Sequence, residues 1–295
     1  MRLGSDWHQW AVLTRREVLR LRVRLFLALM ATTVTLGLPG SANAIVGGTP
    51  DLAHPYVGLE DNGVFACTGT LLSPRVLVTA AHCFSNSESA YGTMNGQPVV
   101  KVTFDQQGFF ASNPQSHFGT YYWDPLFCLG CAGGTPGFDT HDVAVIVLND
   151  SVSMPAYGEL PPLNLDTTLP TGTNLDIVGY GVQHFGKPDP CIPNCKKQPD
   201  AAFTRFAATS RLLSVGAGKD GEFVKISGTT SQGKGAQCFG DSGGPLFLHA
   251  TNLLIAETSF GTNANCSGVG YDLRLDTPTA QDFIFNTLGD LGLTL

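Results

Sequence analysis

Residues 240–245 read Gly-Asp-Ser-Gly-Gly-Pro, a serine set between an acid and a pair of glycines. Glycines let backbone N–H groups converge on one point and let a ligand come close. A serine hydroxyl is a weak nucleophile until a nearby base takes its proton. The segment therefore calls for a histidine elsewhere, and for a carboxylate to orient that histidine. Thr79-Ala80-Ala81-His82-Cys83 offers the base. His141-Asp142, ahead of the apolar run Val143–Leu148, offers the acid. Taken singly, such residues are mostly structural or solvated. Taken together, His82, Asp142 and Ser242 have the makings of nucleophilic catalysis on a carbonyl group.

The elements that must position them read as short strands. Apolar, β-rich runs recur at Tyr56–Leu59, Val64–Leu72, Val76–Thr79, Val99–Phe104, Val143–Leu148, Leu175–Tyr180, Phe223–Ile226, Pro245–Leu248 and Leu253–Ser259, separated by turn residues. That pattern belongs to barrels or a sandwich. Only Pro278–Leu288 has helical spacing, with Thr277 as N-cap and Gly289 as stop. Gly108–Asp139 and Gln183–Ala202 read as long surface loops. The 35 Gly and 18 Pro, with only 14% charged residues, favour a loop-rich all-β chain over a helical bundle. A 43% hydrophobic content supports a sizeable core and excludes wholesale disorder. The formal charge of −7 excludes a phosphate-neutralising nucleic-acid binder.

Residues 1–44 read as a removable segment. Arg15, Arg16, Arg20, Arg22 and Arg24 precede the uncharged run Leu25–Leu38, and Ala42-Asn43-Ala44 is a small-residue cleavage signature. This is a signal peptide, too short in its apolar part for a comfortable membrane span. Thr14–Arg20 resembles a twin-arginine export motif, so the route is open between the two types. Removal takes away six Arg, one Asp and one Glu, a net +4, and moves the formal charge from −7 to −11. Such a surface disfavours stable association with anionic membranes. Eight cysteines suit an oxidised, exported product.

Cleavage after Ala44 leaves Ile45-Val46-Gly47-Gly48 in front. With His82, Asp142 and Ser242 in their motifs and in that order, residues 45–295 resemble the chymotrypsin/trypsin family of serine proteases. The resemblance implies an all-β fold of two six-stranded antiparallel β-barrels (about 45–160 and 161–295), a C-terminal helix, and an active site in the cleft between the barrels. It implies that Ser242 attacks the carbonyl, that His82 relays the proton, and that Asp142 fixes the tautomer of His82. It makes the N–H groups of Gly240 and Ser242 the oxyanion hole. It pairs a freed Ile45 α-amino group with Asp241. Because the cleavage signature abuts Ile45, the signal-peptide cut is expected to be the activating cut, the alternative being a cut further upstream followed by trimming. Ser259, Phe260 and Gly261 become the strand that pairs with substrate, with Ser259 bonded to Asp142. The activity implied is a secreted, monomeric serine endopeptidase acting on protein or peptide through an acyl-enzyme, with no cofactor. Its rate should rise as His82 loses its proton, roughly between pH 6 and 8. The competing reading is a catalytically silent family member used as a binding module.

The family's pocket floor falls on Ala236, followed by Gln237, with Phe239 near the rim. No carboxylate stands there, so an apolar or small P1 side chain is expected rather than Arg or Lys. The far wall is either Gly268, giving a deep pocket, or Val269, giving a shallow one. Cys67 and Cys83, and Cys238 and Cys266, match two family bridges. Cys128-x-x-Cys131 and Cys191-x-x-x-Cys195 fit either a four-cysteine zinc site or two local disulfides. Export and the placement of the two loops on opposite sides of the family's cleft favour the disulfides, and no metal is expected. His54, His117, His141, His184 and His249 read as structural or surface residues, with His141 on the strand face opposite Asp142.

Overall fold

The computed structural model describes residues 45–130, 140–182, 184–185, 199–200, 203–229 and 234–295. The signal-peptide reading of residues 1–44 lies outside them. The strands are β1 (Thr49–Pro50), β2 (Val57–Asp61), β3 (Ala66–Ser73), β4 (Val76–Thr79), β5 (Thr93–Met94), β6 (Gln97–Thr103), β7 (His117–Trp123) and β8 (Ala144–Leu148). They continue as β9 (Asn174–Gly179), β10 (His184–Phe185), β11 (Pro199–Asp200), β12 (Phe206–Ala217), β13 (Phe223–Gly228), β14 (Pro245–Leu248), β15 (Leu254–Gly261) and β16 (Gly268–Arg274). One helix, α1 (Pro278–Asp290), follows.

Two closed six-stranded antiparallel barrels result. In the first, the order β2-β3-β4-β8-β7-β6 closes when β6 pairs back onto β2. In the second, β12-β13-β16-β15-β14-β9 closes when β9 pairs back onto β12. Closure removes the exposed sheet edges that short strands would otherwise present. β8 (Ala-Val-Ile-Val-Leu) is buried on both faces, because α1 covers the side turned away from the barrel interior. Ala280, Ile284 and Leu288, spaced i, i+4, i+8, bury one stripe of α1 in the same core as Val145 and Leu148.

Three local readings are corrected. β7 lies inside the segment taken as one long loop. Its His-Phe-Gly-Thr-Tyr-Tyr-Trp sequence is aromatic and β-competent, but flanking Gly and Asn residues mask it. Helix α1 begins where expected, with Thr277 Oγ1 accepting from the Ala280 N–H, yet runs through Gly289. The stop is Gly292, whose φ of +67° suits glycine, and Leu293 N–H returns to Leu288 C=O at 2.8 Å. His141 precedes β8 in a left-handed conformation (φ +65°) and so has no opposite strand face to occupy. Its Nδ1 faces Asp124 Oδ2 at 2.9 Å.

Arg205 fastens the two barrels together. Its buried guanidinium bonds Asp51 Oδ2 (3.0 Å), the carbonyls of Val57 (3.1 Å) and Phe104 (3.0 Å), and the Tyr180 hydroxyl (2.9 Å). Val57 and Phe104 belong to the first-barrel side, Tyr180 to the end of β9.

Candidate active site

β4 of the first barrel delivers His82. The chain leaves β4 into a single 3₁₀ turn, Ala81–Cys83. Tyr121 Oη holds that turn, donating within reach of both Ala80 C=O (2.7 Å) and Ala81 C=O (2.9 Å). The Cys67–Cys83 disulfide ties its far end to β3. Asp142 arrives just ahead of β8, which pairs with β4, so adjacent strands bring acid and base together. Asp142 Oδ1 accepts the His82 backbone N–H at 2.8 Å, and Oδ2 lies 2.8 Å from His82 Nδ1. Ser259 Oγ donates to the same Oδ2 at 2.5 Å. The carboxylate is 2% exposed, so these bonds meet little competition from water. With Nδ1 facing an acceptor, the neutral imidazole carries its proton there and presents Nε2 as the base.

Ser242 comes from the second barrel, on the tight loop that enters β14. Gly240 has φ +94° and Gly243 φ +75°, both left-handed. A Cβ on Gly243 would overlap Thr79 Oγ1 and the Thr68 carbonyl. Asp241 N–H bonds Cys238 C=O (3.0 Å), Gly244 N–H bonds Asp241 C=O (2.8 Å), and Gly243 N–H bonds Thr258 C=O (2.8 Å). Among the described residues, no acceptor meets the N–H groups of Gly240 and Ser242. Two unpaired donors on one loop beside a nucleophile are the arrangement that stabilises an oxyanion.

Asp241 points away from that loop's mouth into the interior and is fully buried. Its oxygens accept from Gly181 N–H (2.8 Å) and Cys238 N–H (2.7 Å). Burial outweighs those bonds and pushes its carboxyl up to about 7. Among the described residues no cation pairs with it. Ile45 is also fully buried, among Leu175, Ile177, Phe206 and Leu246. Val46 bridges to Ala236 by paired backbone bonds of 2.9 and 3.0 Å.

A cavity of about 470 Å³ opens beside the serine. His82, Ser242, Ala236, Gln237, Phe239, Ser259, Phe260 and Gly261 all line it. The far wall is formed by Val269 and Gly270, while Gly268 turns toward Asn263 instead. Gly270 pairs with Ile226 across the β13–β16 pair and reaches Gln237. The Cys238–Cys266 disulfide closes the rim. Cys128 is disulfide-bonded, and Cys131, Cys191 and Cys195 lie outside the described residues.

Several polar residues here escape a reading by motif. Thr68 Oγ1 donates to Gly240 C=O at 2.8 Å, and its N–H donates to Ser242 C=O at 2.9 Å. Behind it, Thr79 Oγ1 bonds Glu60, whose buried carboxyl is raised to about 8 by burial. Glu257 is also raised well above the ordinary carboxyl range, by burial and by the charge of Asp142. Gln237 Nε2 bonds Thr258 Oγ1 (2.7 Å) and Asp272 Oδ1 (2.5 Å). The period-2 signal was present for Asp272, which shares a strand face with Gly268 and Gly270. Nothing in the local sequence marks Glu60 or Glu257, since an acid within a strand ordinarily faces solvent. His54, His117 and His249 each bring Nδ1 to an aspartate, respectively Asp51, Asp150 and Asp176.

The profile of the family described as Trypsin matches residues 45–284. Trypsin delta of Drosophila erecta is 28% identical over 240 residues, covering 76% of this chain and 81% of that protein. Trypsin of Sarcophaga bullata is 27% identical over 252 residues, covering 81% and 86%. The solved structure of human heparin binding protein superposes with a TM-score of 0.59 at 18% identity, covering 85% of this chain and all of that one. At that identity the match speaks to the fold.

Proposed function

Because the chain belongs to the trypsin family, we propose that it is a secreted serine endopeptidase that cuts peptide bonds through an acyl-enzyme intermediate. One observation carries the proposal. The buried Asp142 carboxylate bonds His82 and Ser259, which line one cavity with Ser242, beside two N–H groups that meet no acceptor among the described residues.

Ser242 Oγ attacks the scissile carbonyl carbon as His82 Nε2 takes its proton. The tetrahedral oxyanion forms between the Gly240 and Ser242 N–H groups, each worth about 3 kcal/mol of transition-state stabilisation. Collapse expels the amine, which receives the proton from His82, and water repeats the sequence to free the acid. Asp142 keeps Nδ1 protonated and stabilises the imidazolium, and Ser259 holds Asp142 in place. The backbone of 259–261 offers an extended edge to the substrate chain.

The cavity lining, among the described residues, holds no carboxylate. A P1 arginine or lysine would enter without a partner there, so the preference is for an apolar or small P1 side chain. A cut before Ile45 frees an ammonium for Asp241. Burial of that pair draws the 238–242 loop into its active form.

A covalent serine-directed phosphonate tests the assignment. Labelling confined to Ser242, and lost in His82→Ala, supports it. A correctly folded mature chain that takes no label and cleaves no peptide refutes it. Sequencing the exported protein's N-terminus tests the activating cut, and any start other than Ile45 refutes that part.

A further inference from the structure

A second cavity, of about 1010 Å³, lies between the end of β7 with the turn after it and helix α1. None of the residues lining it lines the cavity beside Ser242. Its walls are aromatic and apolar, with Trp123, Leu126 and Phe127 from the β7 side and Phe283 from α1. Leu126 is 69% exposed, so part of that apolar surface stands in water. The charge around it is of one sign. Asp124, Asp282 and Asp290 line the cavity, and among the described residues no Lys or Arg does. Asp282 and Asp290 share one stripe of α1, about 12 Å apart along its axis. Among the described residues neither pairs with a Lys or Arg. Asp290 also closes a helix whose last turn holds no basic residue, so its carboxylate adds to the negative end of the helix dipole. Asp124 is held between the Leu126 N–H (2.8 Å) and His141 Nδ1 (2.9 Å), and its charge is thereby fixed in place.

We propose that this cavity docks a basic segment of the protein substrate, one carrying two or more Lys or Arg side chains. The inference rests on the protease reading and adds to it a recognition site away from the scissile bond. A lysine or arginine stem lies along the apolar wall while its head reaches an acid. The face of Trp123 attracts the same cation. One small ion does not fit these charges. Among the described residues, the three acids and His141 do not bring three ligand atoms within 4.8 Å of one another. Negative charge spread along the cavity calls for positive charge spread along a chain. An acidic partner meets repulsion here, and so does a second copy of a protein whose formal charge is −7. The cavity beside Ser242 has no carboxylate among its described lining, so basic residues of the substrate are read at α1 and not at P1.

The tryptophans of the chain are Trp7, Trp10 and Trp123. A chain starting at Ile45 therefore reports on this cavity through Trp123 alone. That chain, carrying Ser242→Ala so that no peptide is cut, is titrated with acetylated tetralysine amide, and with tetraglutamate and tetraglycine as controls. Tetralysine should shift the tryptophan emission saturably, and added salt should weaken the effect. The controls should leave the emission unmoved. Replacing both Asp282→Asn and Asp290→Asn should weaken tetralysine binding about 10-fold. The active chain is then given an unfolded lysine-rich protein and the same protein with its lysines acetylated. The unmodified form should be cut with about 10-fold higher kcat/KM, and that ratio should fall to about 1 in the double variant. Should the double variant fail to fold, the tetralysine and tetraglutamate titrations decide the matter in the chain with both acids intact. Emission unmoved by tetralysine, an equal response to tetraglutamate, or a ratio unchanged in the double variant overturns the inference while leaving the protease reading intact. Tetralysine binding without cleavage of any substrate overturns the protease reading and leaves the site for a basic segment standing.

Discussion

Thr68, on a strand of the first barrel, donates its hydroxyl to the carbonyl of Gly240, on the nucleophile loop of the second (2.8 Å). The same hydroxyl accepts the Tyr180 N–H (3.1 Å), and the Thr68 N–H reaches Ser242 C=O (2.9 Å). One residue thus grips both amino acids assigned to the oxyanion hole, from across the cleft. Thr68→Val keeps the shape and removes the hydroxyl, leaving the Gly240 carbonyl without its donor. The expected result is a fall in kcat of about 10-fold with KM nearly unchanged, since a misplaced oxyanion donor acts on the transition state. Thr68→Ser should restore most of the rate. Steady-state kinetics on one peptide checks both, and a change confined to KM refutes the role.

A second prediction concerns pH. The Thr79 hydroxyl has one proton, yet two acceptors face it, Glu60 Oε1 and Thr68 C=O (3.1 Å). Both contacts are satisfied only when Glu60 is itself protonated and donates. Burial raises its carboxyl to about 8 in the folded protein, against 4.5 for the ordinary group. The folded state therefore holds a proton that the unfolded state releases. The contribution of Glu60 is fully present below about pH 4.5 and is lost as pH rises through about 8. Glu60→Gln mimics the protonated form and should flatten the loss. Glu257 and Asp272 are shifted in the same direction, so some decline remains. Thermal unfolding from pH 5 to pH 9 measures the difference, and identical slopes for the two proteins refute it.

How far the sequence carries this reading depends on the range of each contact. His82, Asp142 and Ser242 sit in contiguous motifs, so their types and order are legible. Strand runs such as Val76–Thr79 are legible because they are apolar and bounded by turns. β7 is masked because Gly and Asn residues flank it while its pairing partners, β6 and β8, lie elsewhere in the chain. Thr68, Glu60 and Asp272 were hidden for a related reason. Each looks like an ordinary strand residue until the barrels close and show which faces meet. Gly268 and Val269 stay equivalent in the sequence because register along β16 is set by pairing with β13, which no local pattern records.

Arg205 should matter more than any surface ion pair. It is 2% exposed and bonds groups on both barrels, with Asp51 as its charged partner. Arg205→Met preserves the bulk of the stem but leaves Asp51, Tyr180 and two carbonyls short of a donor. Removing one partner of such a buried pair costs about 3–5 kcal/mol. Urea unfolding of the variant should show a loss of that order. A loss below about 1 kcal/mol, the range of exposed pairs, contradicts a staple role.

The relation between Ile45 and Asp241 yields the sharpest test of the activation step. Asp241 is buried beneath the loop it shares with Ser242, with two backbone donors and, among the described residues, no cation. Burial alone lifts its carboxyl to about 7, so near neutrality it is poised between charged and neutral forms. An ammonium delivered by a new terminus at Ile45 would hold it ionised and fix the loop. A chain that starts at Ile45 should therefore be active. The same chain with one extra residue before Ile45, which moves the ammonium away from the buried acid, should lose about 100-fold or more in kcat/KM. Asp241→Asn in the chain starting at Ile45 should lose as much, and adding the extra residue to that variant should cost nothing more, because the two changes break one pair. Additive losses in the double variant would mean that terminus and acid act separately, and equal activity with and without the extra residue would remove the activation step altogether.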